Sequence, residues 1–343
     1  MGLFCLDRWE IEMKKLMLIL LAAAMVAALA ACSQNKDDAL TTVTLSEVTR
    51  SVFYAPQYAA IALGFFAEEG IHIDLITSDG ADRVMTALLS GGADIGLSGP
   101  EAAIYVWAGG REDFPIVFAQ LTQRDGSFLI GRRPLPNFTW EDIRGSHVLP
   151  GRRGGMPFMV LEYVTRSQGI VPDVDVEFDS TIQFAAMVGA FLGGTADFVT
   201  AFEPVASTIA MEGRGYVVAS VGEAFGEIPY TAYYALGSFL EENPGVTQGF
   251  TNALHRGQVW VQDNTPETIA AVIAPFFPEA DLDILARAIE RYLGIEAYAA
   301  TPHITRYGFD NLQRVMEAAG ELPMYAPFDV LVDNRFADGA VGR

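Results

Sequence analysis

The chain has 343 residues with 43 acidic and 22 basic side chains, a formal charge of −21. That surface repels nucleic acid and anionic headgroups, which excludes both as partners. The only cysteines are Cys5 and Cys32; Cys5 leaves with a leader, so disulfides, thiolate metal sites and cysteine nucleophiles are excluded together, and the core must hold by burial.

Asp7, Glu10 and Glu12 do not suit a positively charged leader, whereas Met13-Lys14-Lys15 does, so translation is expected to start at Met13. The apolar run 16–29 is shorter than the roughly 20 residues of a membrane span. It ends in Leu29-Ala30-Ala31-Cys32, the form of a signal closing on a lipobox. Residues 1–31 are expected to be removed and Cys32 to be lipidated, anchoring the chain outside the cytoplasm, since several acyl chains hold where one would not. An ordinary secretory signal with a coincidental cysteine is the alternative. Residues 32–42 are a polar tether.

From Val43 strands and helices alternate. Strands are expected at 43–48, 71–76, 95–97 and 116–121, and helices at 56–69, 81–89 and from about Glu101. A second block repeats the plan, with strands at 146–149, 174–178, 198–202 and 217–221 and helices at 158–168 and 184–192. This order predicts an α/β fold whose sheets are mostly parallel, with helices on both faces. The blocks share an echo: Leu88 to Glu101 (LLSGGADIGLSGPE) lines up with Phe191 to Pro204 (FLGGTADFVTAFEP), so two similar lobes are expected. Helices at 244–261, 266–274, 281–292 and 309–319 read as a layer packed back on the first lobe. The chain then crosses between lobes near 120–127 and 227–234, a hinge of two segments. The division is 43–122 with 233–337 as lobe 1, and 123–232 as lobe 2.

Ligands of open α/β sheets bind beyond the carboxyl ends of the strands. After the first strand, Tyr54 and Gln57 are candidates to stack on a flat ring and to hydrogen-bond it, with Phe53 and Tyr58 assigned to the core. After the third, Ser98, Gly99 and Glu101 offer close backbone approach and a carboxylate at a helix start. Glu101, and Glu203 in the second lobe, stand open between helix capping and ligand contact. The turn Gly151–Pro157 exposes backbone N–H groups beside Arg152 and Arg153, for an oxygen anion or simply as a tight turn. His72, His147, His255 and His303 lack metal-like spacing, and no G-x-S-x-G elbow occurs. No metal, cofactor or catalytic residue is expected.

The run from Phe53 to Tyr105 (FYAPQYAAIALGFFAEEGIHIDL…ALLSGGADIGLSGPEAAIY), with Gln120-Leu-Thr-Gln-Arg124, Gly154-Gly155-Met156-Pro157 and Pro229-Tyr230-Thr231, resembles the substrate-binding lipoproteins of ABC importers for sulfonates, nitrate, taurine and thiamine-precursor pyrimidines. The resemblance covers nearly all of the mature chain. It implies a type II periplasmic-binding-protein fold of two α/β lobes, closure on one small molecule, and delivery to a permease driven by a separate ATPase. It adds Gln120, Gly154, Gly155, Met156 and Tyr230 to the expected ligand-binding residues and implies a monomer. Carboxylates among aromatics suit an amino-substituted ring, so an aminopyrimidine thiamine precursor or thiamine is the expected ligand. Arg152 and Arg153 keep an anionic solute such as an alkanesulfonate, taurine or nitrate as the alternative. The related pyrimidine-synthesising yeast enzyme uses a cysteine-rich motif and a histidine, and the mature chain has no cysteine but Cys32. A ligand-triggered sensor, docking to a receptor instead of a permease, is the third class.

Overall fold

The computed structural model describes residues 40–342. The leader and Cys32 lie outside the described residues.

Ten strands occur among the described residues: β1 (Thr41–Glu47), β2 (Ile71–Thr77), β3 (Ile95–Ser98), β4 (Pro115–Thr122), β5 (Phe128–Gly131), β6 (His147–Leu149), β7 (Glu177–Phe178), β8 (Phe198–Ala201), β9 (Tyr216–Ser220) and β10 (Thr231–Leu236). They form two sheets, ordered β2-β1-β3-β10-β4 and β7-β6-β8-β5-β9. β1 pairs in parallel with β2 and β3, as β6 does with β7 and β8. One strand in each sheet is antiparallel to its neighbours, β10 in the first and β5 in the second. Each is the first strand laid down after the chain crosses from the other sheet, so it enters running the opposite way. The mostly parallel expectation holds with that exception.

The sequence echo is a structural equivalence. The aspartate of each Ala-Asp pair precedes β3 or β8 and exchanges two bonds with the strand parallel to it, β1 or β6. Asp94 Oδ2 accepts from the Thr44 N–H at 2.8 Å while its own N–H donates to the Thr44 carbonyl. Asp197 does the same with His147, at 3.0 Å. A carboxylate thereby satisfies a strand donor that the ladder leaves over.

Several boundaries differ from expectation. The helix expected over 56–69 is two, Ala55–Ala62 and Phe65–Glu68, because Gly64 takes a left-handed φ of +76° that ends the first. Of the second predicted strand of the second block, 174–178, only Glu177–Phe178 joins the sheet. Residues 171–175 instead close a turn in which Asp175 accepts from the Val171 N–H. The helices Leu282–Gly294 and Arg306–Ala318 do not stay on the first half. They also touch Val205–Met211 and Met156–Ser167, which flank the second sheet.

The two crossings lie side by side. Beyond β4 and before β10 they stay hydrogen-bonded: the Tyr230 N–H donates to the Thr122 carbonyl and the Ile228 N–H to Gln123. The hydroxyls of Thr122 and Thr231 meet at 2.6 Å. Residues 297–299 brace the same ribbon, with Ala299 donating to Leu121 and Gln123 to Ala297.

Candidate functional site

A cavity of about 280 Å³ opens where the two sheets face each other. Its wall comes in turn from the segment after each parallel strand: Ser51, Phe53 and Tyr54 after β1, Asp79 to Arg83 after β2, Gly99 and Glu101 after β3. From the other side come Arg152, Gly155 and Met156 after β6, Gln183 and Phe184 after β7, and Phe202 after β8. Tyr230, on the second crossing, closes the base. The cavity therefore sits at the carboxyl ends of both sheets, where helix starts and unpaired loops converge.

Aromatic rings form much of the wall. Phe53 lies at their centre, with ring centroids 5.0 Å from Tyr292, 5.7 Å from Phe202, 5.7 Å from Tyr230 and 6.0 Å from Tyr54. These tilted and edge contacts are the ones ring quadrupoles favour. Ser51 accepts from the Phe53 N–H and donates at 2.7 Å to the Glu203 carbonyl, tying the β1 loop to the β8 loop.

Glu101 is the charged group on this wall with least access to water, 2% exposed. Burial pushes its carboxyl up to about 7, against the pull of its own N–H, of Arg152 and of the Met156 N–H. Its Oε2 is hidden from solvent with no partner at hydrogen-bonding distance. A side chain at Gly99 would place Cβ 2.0 Å from that oxygen and 2.7 Å from Met156 Cγ, so only glycine lets the halves meet here. Below the cavity, Asp125 on the first crossing is fully buried and accepts from the Ser127 N–H at 2.6 Å. Burial pushes it to about 7 as well.

Of the sequence candidates, Tyr54, Gly99, Glu101, Gly155, Met156 and Tyr230 line the cavity. The others are placed elsewhere. Gln57 is fully buried, donating to Glu47 and accepting from the Tyr233 hydroxyl, each at 2.9 Å. Ser98 is engaged with the Tyr234 hydroxyl at 2.6 Å. Gln120 is a buried β4 residue whose carbonyl accepts from Gln258. The Gly154 carbonyl accepts from Tyr105. Glu203 turns away from the cavity, accepting from Ser207 N–H and hydroxyl at the start of Val205–Met211 and pairing with Arg291. The echo explains this. Glu101 aligns with Pro204 and Glu203 with Pro100, so the carboxylates are offset by one residue and only Glu101 faces inward. Arg152 is on the wall, whereas Arg153 pairs with Asp173 and lies over Phe158. Phe53, assigned to the core, is both core and wall.

Sequence reasoning missed Ser51, Phe184, Phe202 and the 79–83 loop. For Phe202 a signal was present, since it aligns with Gly99, a strand-end position already singled out. Among the described residues no group of three or more His, Cys, Asp or Glu is placed to hold a metal ion, and no helix is long and apolar enough to cross a membrane.

Residues 52–268 match the family model described as "NMT1/THI5 like". The chain is 42% identical over 311 residues to the Bacillus subtilis (strain 168) protein described as "Putative binding protein YtlA", covering 91% of this chain and 92% of that one. Its fold is similar to that of the alkanesulfonate-binding protein SsuA from Xanthomonas axonopodis pv. citri, solved bound to MOPS. The TM-score is 0.70 at 14% identity, over 86% of this chain and 98% of that one. A Candida albicans protein solved as an example of the generic periplasmic binding protein fold gives a TM-score of 0.66 at 15% identity, over 86% and 97%. The periplasmic-binding-protein fold expected from the sequence is the fold of this chain.

Proposed function

The chain belongs to the NMT1/THI5-like family, and on that premise we propose that it is the extracytoplasmic solute-binding component of an ABC importer, closing on a small amino-substituted ring. An aminopyrimidine thiamine precursor or thiamine is the solute class the wall suits best. The observation that carries this reading is the juxtaposition of Phe53, Tyr54, Phe202 and Tyr230 with a buried, unpartnered oxygen of Glu101. Rings stack on the aromatics, and the carboxylate takes a charge-assisted bond from the amine. In this reading Tyr54, Gly99, Glu101, Gly155, Met156 and Tyr230 contact the solute. Residues 43–122 with 233–337 make one lobe and 123–232 the other. Cys32 carries the lipid, and the protein works as a monomer delivering solute to a permease and its ATPase without turning it over.

Arg152 on the same wall favours a second reading, an anionic solute such as an alkanesulfonate, taurine or nitrate. Thermal-shift screening against thiamine, its pyrimidine precursors, riboflavin, taurine and alkanesulfonates separates the two. A ligand at 100 times its Kd should add about 2.7 kcal/mol of stability. A shift with a sulfonate and none with any heterocycle would defeat the aminopyrimidine reading. Conversion of a bound pyrimidine into product would defeat the transport role.

A further inference from the structure

Glu101 stands at the first turn of the Glu101–Ala108 helix, beside the head of Met156–Ser167, a helix carried by the other sheet. A second bond joins the two helices there, Tyr105 Oη donating to the Gly154 carbonyl at 3.0 Å. The absence of room for a Cβ at Gly99, between Glu101 and Met156, shows how closely the halves approach. That approach buries the carboxylate. Its Oε2 then has no partner, and an ionised oxygen in that condition costs far more than a neutral polar atom. Drawing the halves apart returns it to water.

We propose that Glu101 makes closure of the two halves conditional on a hydrogen-bond donor carried by the solute, so that the cavity selects amino-bearing or protonated rings over isosteric rings without an N–H. The solute half of this inference rests on the aromatic-ring reading above; the behaviour of the empty protein does not. A solute N–H gives Oε2 the partner that closure denies it. A methyl in the amine's place leaves the oxygen unpaired in the closed form, and closure stays unfavourable. A proton on Glu101 is the other remedy, because it removes the charge that burial penalises. The closed form, with the higher carboxyl pKa, binds that proton more tightly than an open, hydrated form, so acid favours closure of the empty protein and base favours opening. Arg152, Tyr105, Tyr230 and Tyr234 face Glu101, with Glu321 beyond Tyr105. Burial pushes the tyrosines up, so they stay neutral in this range. Asp125, beside Tyr230, titrates in the same range as Glu101 and supplies the control.

The test has two arms. Small-angle scattering compares the solute-free full chain at about pH 6 and about pH 8, as wild type, Glu101→Gln and Asp125→Asn. Wild type and Asp125→Asn should be more compact at the lower pH, and Glu101→Gln equally compact at both. A wild-type radius indifferent to pH, or a response that survives Glu101→Gln, overturns the inference. Calorimetry on wild type then compares the aminopyrimidine precursor of thiamine with its analogue bearing methyl for amino. The amino ring should bind about tenfold tighter or more; equal affinities overturn the inference. Binding of neither ring sinks the aromatic-solute reading instead, and the scattering arm then decides alone.

Discussion

Phe53→Ala perturbs the cavity wall at its most connected point. The ring is 1% exposed and touches four others, Tyr54, Phe202, Tyr230 and Tyr292. Two of these, Tyr54 and Phe202, belong to loops that follow strands of different sheets. Burying a phenylalanine contributes about 3 kcal/mol, and ring geometry adds about 1 kcal/mol. Measured Phe→Ala costs run from about 3 to 5 kcal/mol, the upper end reflecting sealed voids. Here the vacated volume would join an existing cavity that solvent enters, so the lower end applies. We expect a loss of about 3 kcal/mol in equilibrium urea unfolding with the slope unchanged. Phe53→Leu should lose about 1 kcal/mol. A loss below about 1 kcal/mol for the alanine variant would refute the claim that this ring joins the two halves.

Other outcomes follow from features already described. Asp125 has a folded-state pKa raised to about 7, so its contribution is present below the unfolded value near 4 and is lost as pH rises through about 7. Asp125→Asn should therefore raise stability by up to about 4 kcal/mol at about pH 8 and by little near pH 4, checked by melting curves at both. Asp94→Ala and Asp197→Ala remove equivalent strand bonds, but Asp197 is exposed and Asp94 half-buried. Chemical denaturation should find the first costing about 1–2 kcal/mol and the second under about 1 kcal/mol; the reverse order would refute burial as the source of the difference. Gly99→Ala should weaken solute binding, since the added methyl displaces the Glu101 carboxylate of its own half and meets Met156 when the halves approach; unchanged affinity in calorimetry would show that the contact at Gly99 is not part of closure. Arg152→Ala should leave an amine solute bound as well or better, and a clear loss of affinity in calorimetry would favour an anion.

Where local pattern decides, the sequence was readable. The helix at 81–89 has its expected limits, and the Ala-Asp echo marks topologically equivalent turns. β5 and β10 were not recognised, because they form by insertion between strands placed much earlier or later in the chain. Nothing in Phe128–Gly131 itself reports that it lies between β8 and β9. The same limit governs the site. Gln57 follows a strand end and a proline, as a ligand contact would, yet Tyr233, 176 residues away, completes its hydrogen bonds. Glu203 looked inward by analogy with Glu101, and a one-residue offset against proline turned it to Ser207 and Arg291. Legible residues were those whose role depends on their own strand end; the others depend on what packs there.

The paired threonines of the waist constrain how such a molecule can move. Two independent tethers would allow twist, shear and bend. Here the tethers are stitched by Thr122, Gln123, Ile228, Tyr230 and Thr231 and shored up by 297–299, so the ribbon resists torsion and yields along one line. Distances measured between probe pairs spread over the two halves should then change in fixed proportion to one another, as on a book opened about its spine.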